Sequence, residues 1–218
     1  MDGLECSEIY LSSLNKEFRI DSEYHQKLYL SDEKYLVSNN ARAIDCFVTD
    51  GQHGYHEIDE NSKIHMLTAK NAKNWFADTV NADLVAKWVD DSNKRSSLQE
   101  NDLILSTRGS VGYCAIVKKE ILPANIDQDV ARIKIQDPNF RAEYVLCYLN
   151  SRFGQNWMKR NQTGMVQQGL SLQKVREIPV PHLGNSFQMM VSKCCTAAYG
   201  AIVHSRTTYA CAAQIMSE

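Results

Sequence analysis

The sequence is poor in backbone punctuation, with four prolines and ten glycines among 218 residues. That excludes collagen-like repeats and proline-rich linkers. It has no uncharged apolar run of the ~18 residues that a membrane helix needs, so no membrane association is expected. Met1-Asp2-Gly3-Leu4-Glu5 is acidic and offers no apolar signal region, which favours a cytoplasmic protein. The seven cysteines are an odd number, none in a C-x-x-C pair, and adjacent Cys194 and Cys195 cannot easily bridge each other. Reduced thiols are the expectation.

Catalytic signatures are missing as well. There is no phosphate-cradling G-x-x-x-x-G-K-[ST] loop, no G-x-G-x-x-G turn and no H-E-x-x-H pair. An Asn/Asp-Pro-Pro-aromatic tetrapeptide, which an amino-methylating enzyme would need, does not occur. His53 and His56 have no cysteine or acid at metal-ligand spacing, so no metal and no cofactor are expected. Asp32-Glu33-Lys34 holds the acid-x-Lys end of a nuclease-like site without its upstream partner, and reads as a charged loop. A hydrolase would need Cys114, His53 or His65 to converge. Catalytic residues are therefore expected to be none.

What is present is an ordinary globular composition, 44% hydrophobic and 23% charged, with an uneven charge distribution. The net charge of −2 divides into 13 acids and 5 bases over residues 1–60, then 12 acids and 17 bases over 61–185. Residues 150–176 carry Arg152, Lys159, Arg160, Lys174 and Arg176 and no acid. A basic face beside an acidic one suits contact with phosphates on one side.

Several segments have readable periodicity. Short strands are expected at 43–48 and 62–68, and Ser22 is a candidate helix cap. Asp102–Ser106 and Val111–Val117 read as a hairpin around Gly109. Val130–Ile135 alternates as a half-buried strand. Asp137-Pro138 suggests the start of a helix carrying Phe140, Tyr144, Val145, Tyr148 and Leu149 on one stripe. Residues 153–169 break periodicity and read as a polar loop. From Ser186 to Ser217 apolar residues recur every three or four positions without proline, which predicts one helix of about 30 residues, roughly 45 Å long. Such a helix must project or pair, and its small residues permit close helix contact. The expected class is mixed α/β (α+β), with a compact globule over 1–185 around a small mixed sheet, then the long helix over 186–218.

The order of these pieces resembles the specificity subunit of type I restriction–modification systems: one target-recognition domain with its following helix. Phe18-Arg19-Ile20-Asp21-Ser22-Glu23-Tyr24 is similar to the stretch that opens such domains. Asp50-Gly51-Gln52-His53-Gly54 with Met66–Asn71, the hairpin from Leu98 to Gly112, Ala124–Val130, Gly164–Ser171, Ile178–Pro181 and Gln188 follow in the family's order. Asn101 stands where a glycine is usual. Met1–Glu5 resembles the stretch after such a helix, so the chain looks like a half-subunit, a single repeat cut from a longer protein, or the recognition tail of a fused restriction–methylation enzyme.

The resemblance implies a non-catalytic adaptor. It would bind double-stranded DNA, read half of a split target, and hold methyltransferase and restriction subunits. A homodimer through the C-terminal helix is a further expectation. Phosphate contacts would set register and polar side chains would read bases. The candidates are Lys70, Asn71, Lys73 and Asn74, then Arg108 and Ser110 at the hairpin tip, then Lys159, Arg160, Asn161 and Gln162, with Gln167, Gln168 and Lys174 in second rank. The competing reading is an oligomerisation or inhibitor module that binds no DNA.

Overall fold

The computed structural model describes residues 6–14, 17–164 and 169–217. Gln167, Gln168 and Met1–Glu5 lie outside the described residues. Among those described, no helix is long and apolar enough to cross a membrane.

The helices are α1 (Lys27–Ser38), α2 (Lys87–Ser92), α3 (Ala142–Leu149), α4 (Arg152–Arg160), α5 (Leu172–Arg176) and α6 (Asn185–Ser217). The strands are β1 (Arg42–Ala43), β2 (Cys46–Asp50), β3 (Ile64–Leu67), β4 (Asp83–Val85), β5 (Leu103–Ser106), β6 (Cys114–Ile116), β7 (Ala124–Ile126), β8 (Val130–Ile135) and β9 (Pro179–Val180). A four-stranded antiparallel sheet runs β2-β8-β5-β6. A second sheet runs β4-β3-β7, with β3 antiparallel to β4 and parallel to β7. The short strands β1 and β9 pair antiparallel.

The four-stranded sheet is covered on both faces, which is why β5 and β6 are apolar and buried throughout. On one face Val48, Leu103, Leu105, Cys114, Ile116 and Ile133 meet Tyr144, Val145, Leu146 and Leu149 of α3, with Met158 of α4. On the other, Ile104, Ala115 and Val117 meet Leu67, Ala72 and Ile126. The mixed α+β class with small sheets and a long terminal helix is thus the observed architecture.

Four local expectations are corrected. The first helix begins at Lys27, not at Ser22, because residues 22–25 close a turn in which the His25 N–H donates to the Ser22 carbonyl at 3.2 Å. Asp32-Glu33-Lys34 lies inside α1 rather than in a loop, and Asp32 is buried. Asp137-Pro138 does not start a helix: Asp137 accepts the Asn139 N–H at 3.0 Å in a turn, and α3 begins at Ala142. The supposed polar loop over 153–169 contains α4. Its glycine misled, since a Cβ on Gly154 would overlap the Tyr148 carbonyl oxygen; glycine there admits α3 against α4. Ser151 caps that helix, and Phe153, Trp157 and Met158 pack inward.

α6 runs for 33 residues, roughly 50 Å at about 1.5 Å per residue. Its first turns dock on the globule. Gln188 is 1% exposed; its side chain accepts the Arg141 N–H and donates to the Asn139 carbonyl, both at 2.9 Å. That buried amide satisfies the entry to α3, and it stabilises the docking by about 1–3 kcal/mol. Ser192 donates to Glu143 at 2.7 Å, and Tyr199 to Glu120 at 2.9 Å. From Val203 to Met216 every residue is exposed, so the helix leaves the globule.

Candidate nucleic-acid interface

Most of the exposed candidate residues lie around the tip of the β5–β6 hairpin. Ser106 ties the hairpin shut: its hydroxyl accepts the Tyr113 N–H at 2.9 Å and donates to the Ser110 carbonyl at 2.6 Å. Arg108, Gly109 and Ser110 stand out into solvent beyond that clasp. Three other segments grip the tip. The Thr107 N–H donates to the Asp129 carbonyl at 2.8 Å, which brings in the turn before β8. Leu170 N–H donates to the Thr107 carbonyl at 2.8 Å, which brings in the segment before α5. From α4, the Gln155 amide donates to the Gly112 carbonyl at 2.8 Å.

A shallow cavity of about 210 Å³ opens where these meet, lined by Asp50, Thr107, Arg108, Gln128, Thr163 and Ser171 among others. A second, of about 280 Å³, lies between Val111 and the Lys159 and Gln162 end of α4. On the remaining side a 3-10 turn, Ala69–Ala72, carries Lys70 and leads to Lys73. The Lys73 ammonium lies 5.5 Å from the centre of the Tyr113 ring. Lys73, Arg108, Ser110, Lys159 and Gln162 are therefore gathered around one protrusion, with Lys70 beside them.

The other candidates are engaged inside the fold. Asn71 is 1% exposed; it accepts the Thr68 N–H at 2.9 Å and donates to Asp78 and to the Val80 carbonyl. Asn74 is exposed but donates to Asp78 at 3.2 Å. Arg160 is buried, with Nε on the Tyr24 carbonyl at 2.8 Å and Nη1 on Glu33 at 3.0 Å. Its guanidinium also stacks 4.1 Å from the Tyr24 ring centre. Asn161 is buried and donates to the Trp157 carbonyl at 2.8 Å. Lys174 pairs with Glu17 at 2.6 Å and Glu177 at 3.0 Å. The acid-free stretch 150–176 thus spends three of its five bases on acids from the N-terminal part of the chain, since Arg152 also meets Asp32 at 3.3 Å.

Sequence reading missed Tyr113 and Gln128, because both lie in segments that look like plain scaffold. It also missed two acids beside the tip. Asp129 faces Arg108 at 3.8 Å, both half exposed. Asp127 accepts the Asp129 N–H at 3.0 Å. Burial, aided by the neighbouring Asp129 charge, pushes the Asp127 carboxyl up to about 6, against the pull of that N–H, His56 and Arg108. Cys114 is buried in the core, where burial pushes its thiol well up, while His53 is paired to Asp50 at 2.9 Å and His65 lies on β3. No cluster of three or more metal-ligating side chains occurs among the described residues.

Comparison with known proteins gives a consistent pattern. The family model for the type I restriction modification DNA specificity domain matches residues 52–188. The type I restriction enzyme EcoBI specificity subunit of Escherichia coli is 24% identical over 108 residues, which is 49% of this chain and 23% of that protein. A solved chain from work on complex assembly and conformational transition of the type I R-M system shares the fold, with a TM-score of 0.51 at 13% identity, over 82% of this chain and 47% of that one. The HsdS subunit from Thermoanaerobacter tengcongensis aligns over 82% of this chain and 45% of its own, at 11% identity and a TM-score of 0.48. The chain spans less than half the length of each of these relatives.

The raised Asp127 carboxyl has a measurable consequence. Its folded form holds the proton more tightly than the unfolded chain, so its contribution to stability is greatest below the ordinary value of 3.8 and is lost as pH rises through about 6. Asp127→Asn keeps an acceptor for the Asp129 N–H and removes the buried charge. At pH 7.5 this variant is expected to melt on the order of 2–4 °C higher, a gain that shrinks toward pH 4. Thermal denaturation across pH checks it; a lower melting temperature at neutral pH would contradict the assignment.

Proposed function

The chain belongs to the family of type I restriction modification DNA specificity domains, and from that membership we propose that it reads one half of a split duplex target. The globule over residues 1–185 is the reading module, and 186–218 is the spacer that holds it at a fixed distance from a second module. In this role the chain performs no chemistry of its own. It carries the methyltransferase and restriction subunits of a cytoplasmic complex to their site. The recognition end of a fused restriction–methylation enzyme would use the same surfaces.

The single observation that carries the reading is the cluster of exposed Lys73, Arg108 and Lys159 around the hairpin tip, beside the hydrogen-bonding side chains of Ser110 and Gln162. Cations fix register by neutralising phosphates, whatever the sequence. Short polar side chains at a narrow protrusion can reach base edges in the major groove. Lys70 supports the cationic rim. Asn71, Arg160, Asn161 and Lys174 hold the platform in place through contacts inside the fold.

The outer half of α6 exposes Val203, Tyr209, Ile215 and Met216. These apolar side chains stand on several sides of the helix and are uncovered in a lone chain, and we assign them to contact with another helix, from a second copy or from the other repeat. Sedimentation velocity of the chain alone should then report a dimer; a monomer at micromolar concentration would refute self-pairing.

Binding titrations at several salt concentrations, with the target duplex and a scrambled one, test the reading face. Lys73→Ala, Arg108→Ala and Lys159→Ala should each weaken both duplexes alike and flatten the salt slope by about one unit. Ser110→Ala or Gln162→Ala should cost about 1–3 kcal/mol on the target only. Wild-type binding by the triple charge variant would remove the hairpin tip from the interface.

A further inference from the structure

Trp75 is the strained point of the loop beside the hairpin. Its φ is +62°, in the left-handed region that bulky side chains avoid. The Phe76 N–H donates to the Asn74 carbonyl at 2.6 Å, so Trp75 is the middle residue of a γ-turn of the rarer, strained hand. Glycine would hold that turn without strain.

The surroundings impose the shape. The Trp75 carbonyl accepts the Ile116 N–H at 2.8 Å, and the Ala77 N–H donates to the Ile116 carbonyl at 3.0 Å. The amides of Asn71 and Asn74 both hold the Asp78 carboxylate, at 3.3 and 3.2 Å. Strain retained inside so firm a frame points to a use for the side chain itself.

That side chain is 44% exposed, and among the described residues its indole N–H has no partner. The other two tryptophans differ. Trp88 donates its indole N–H to Glu57 at 2.7 Å, and Trp157 packs against the core. The charge around Trp75 is also distinctive: from Lys63 to Ala77 there are three lysines and no acid. Lys73 reaches to within 5.5 Å of the Tyr113 ring centre, and that ring is 41% exposed.

We propose that Trp75 is a further DNA-binding residue whose indole packs against sugars and base edges of the bound duplex while Lys73 takes the adjacent phosphate. This rests on the DNA-reading role proposed above. A ligand that presents sugar and base edges beside closely spaced anions satisfies both groups at once. A protein partner could cover an indole too, but a lysine-flanked turn whose nearest acid in sequence, Asp78, is buried and held by Asn71 and Asn74 favours the polyanion.

The test uses the full chain with a random-sequence duplex pool. Trp75→Gly removes the indole and relieves the turn. It is expected to unfold at the same temperature or higher while binding duplex about tenfold more weakly. Duplex should quench the tryptophan emission of the wild type, and Trp75→Phe should abolish that quench while retaining most of the affinity. If Trp75→Gly binds duplex as the wild type does, or if the quench survives in Trp75→Phe, the inference is overturned and the DNA-reading role stands. Loss of methyltransferase-subunit binding with duplex binding intact would overturn it in favour of a protein contact. If the wild type binds no duplex, both proposals fall.

Discussion

Four consecutive residues of β8, Val130 to Ile133, are buried, and one of them is an arginine. Arg132 is there because Asp102 meets its Nε at 2.7 Å and the Arg95 carbonyl meets its Nη1 at 2.8 Å. Asp102 in turn accepts the Gln99 N–H at 2.7 Å. Burial pushes the Asp102 carboxyl up, and the Arg132 charge opposes that push. Removing either partner would strand a buried charge, at a cost of about 3–5 kcal/mol. The pair fastens β8 to the start of β5, so it fixes where β5 ends and the hairpin tip begins. At the other end of β8, the turn at 127–129 receives that tip through Thr107. The proposed reading surface therefore stands on two paired strands that this internal ion pair helps to fasten.

Buried polar side chains stitch the apolar platform together. Asn125 donates to Asp90 at 2.9 Å and to the Asn93 carbonyl at 3.3 Å. Asn71 closes the cap of the 3-10 turn, and Gln188 seats α6. Gly51 lies so close to the Ile126 carbonyl that a Cβ would overlap it. These residues fall within the segments that carry the family resemblance. The shared pattern thus describes mainly a frame, and the proposed DNA-facing groups stand on its turns and at the end of α4.

How much was legible follows from what each feature depends on. The strands at 64–67, 103–106 and 130–135 and the helix at 185–217 announce themselves through local periodicity, which neighbouring residues alone determine. The burial of Arg132 defeated the alternating reading of β8, because its partner lies 30 residues away. Arg160 and Lys174 looked like free cations for the same reason: Tyr24, Glu33 and Glu17 reach them only after the chain has folded. Helix α4 was hidden by a glycine whose reason is tertiary. Lys73, Arg108 and Lys159 were legible as exposed cations in polar stretches, but their assembly around one tip was not, since it needs the sheet register.

The central claim is that one continuous surface, made by the 69–76 turn, the 107–113 hairpin tip and the end of α4 at 159–162, faces the duplex. Hydrogen exchange of the full chain with and without duplex tests this most directly. Duplex is expected to slow exchange in those three segments together and to leave the outer half of α6 unchanged. Protection confined to α6 or to the α1 face, with the hairpin tip exchanging as in the free protein, would contradict it.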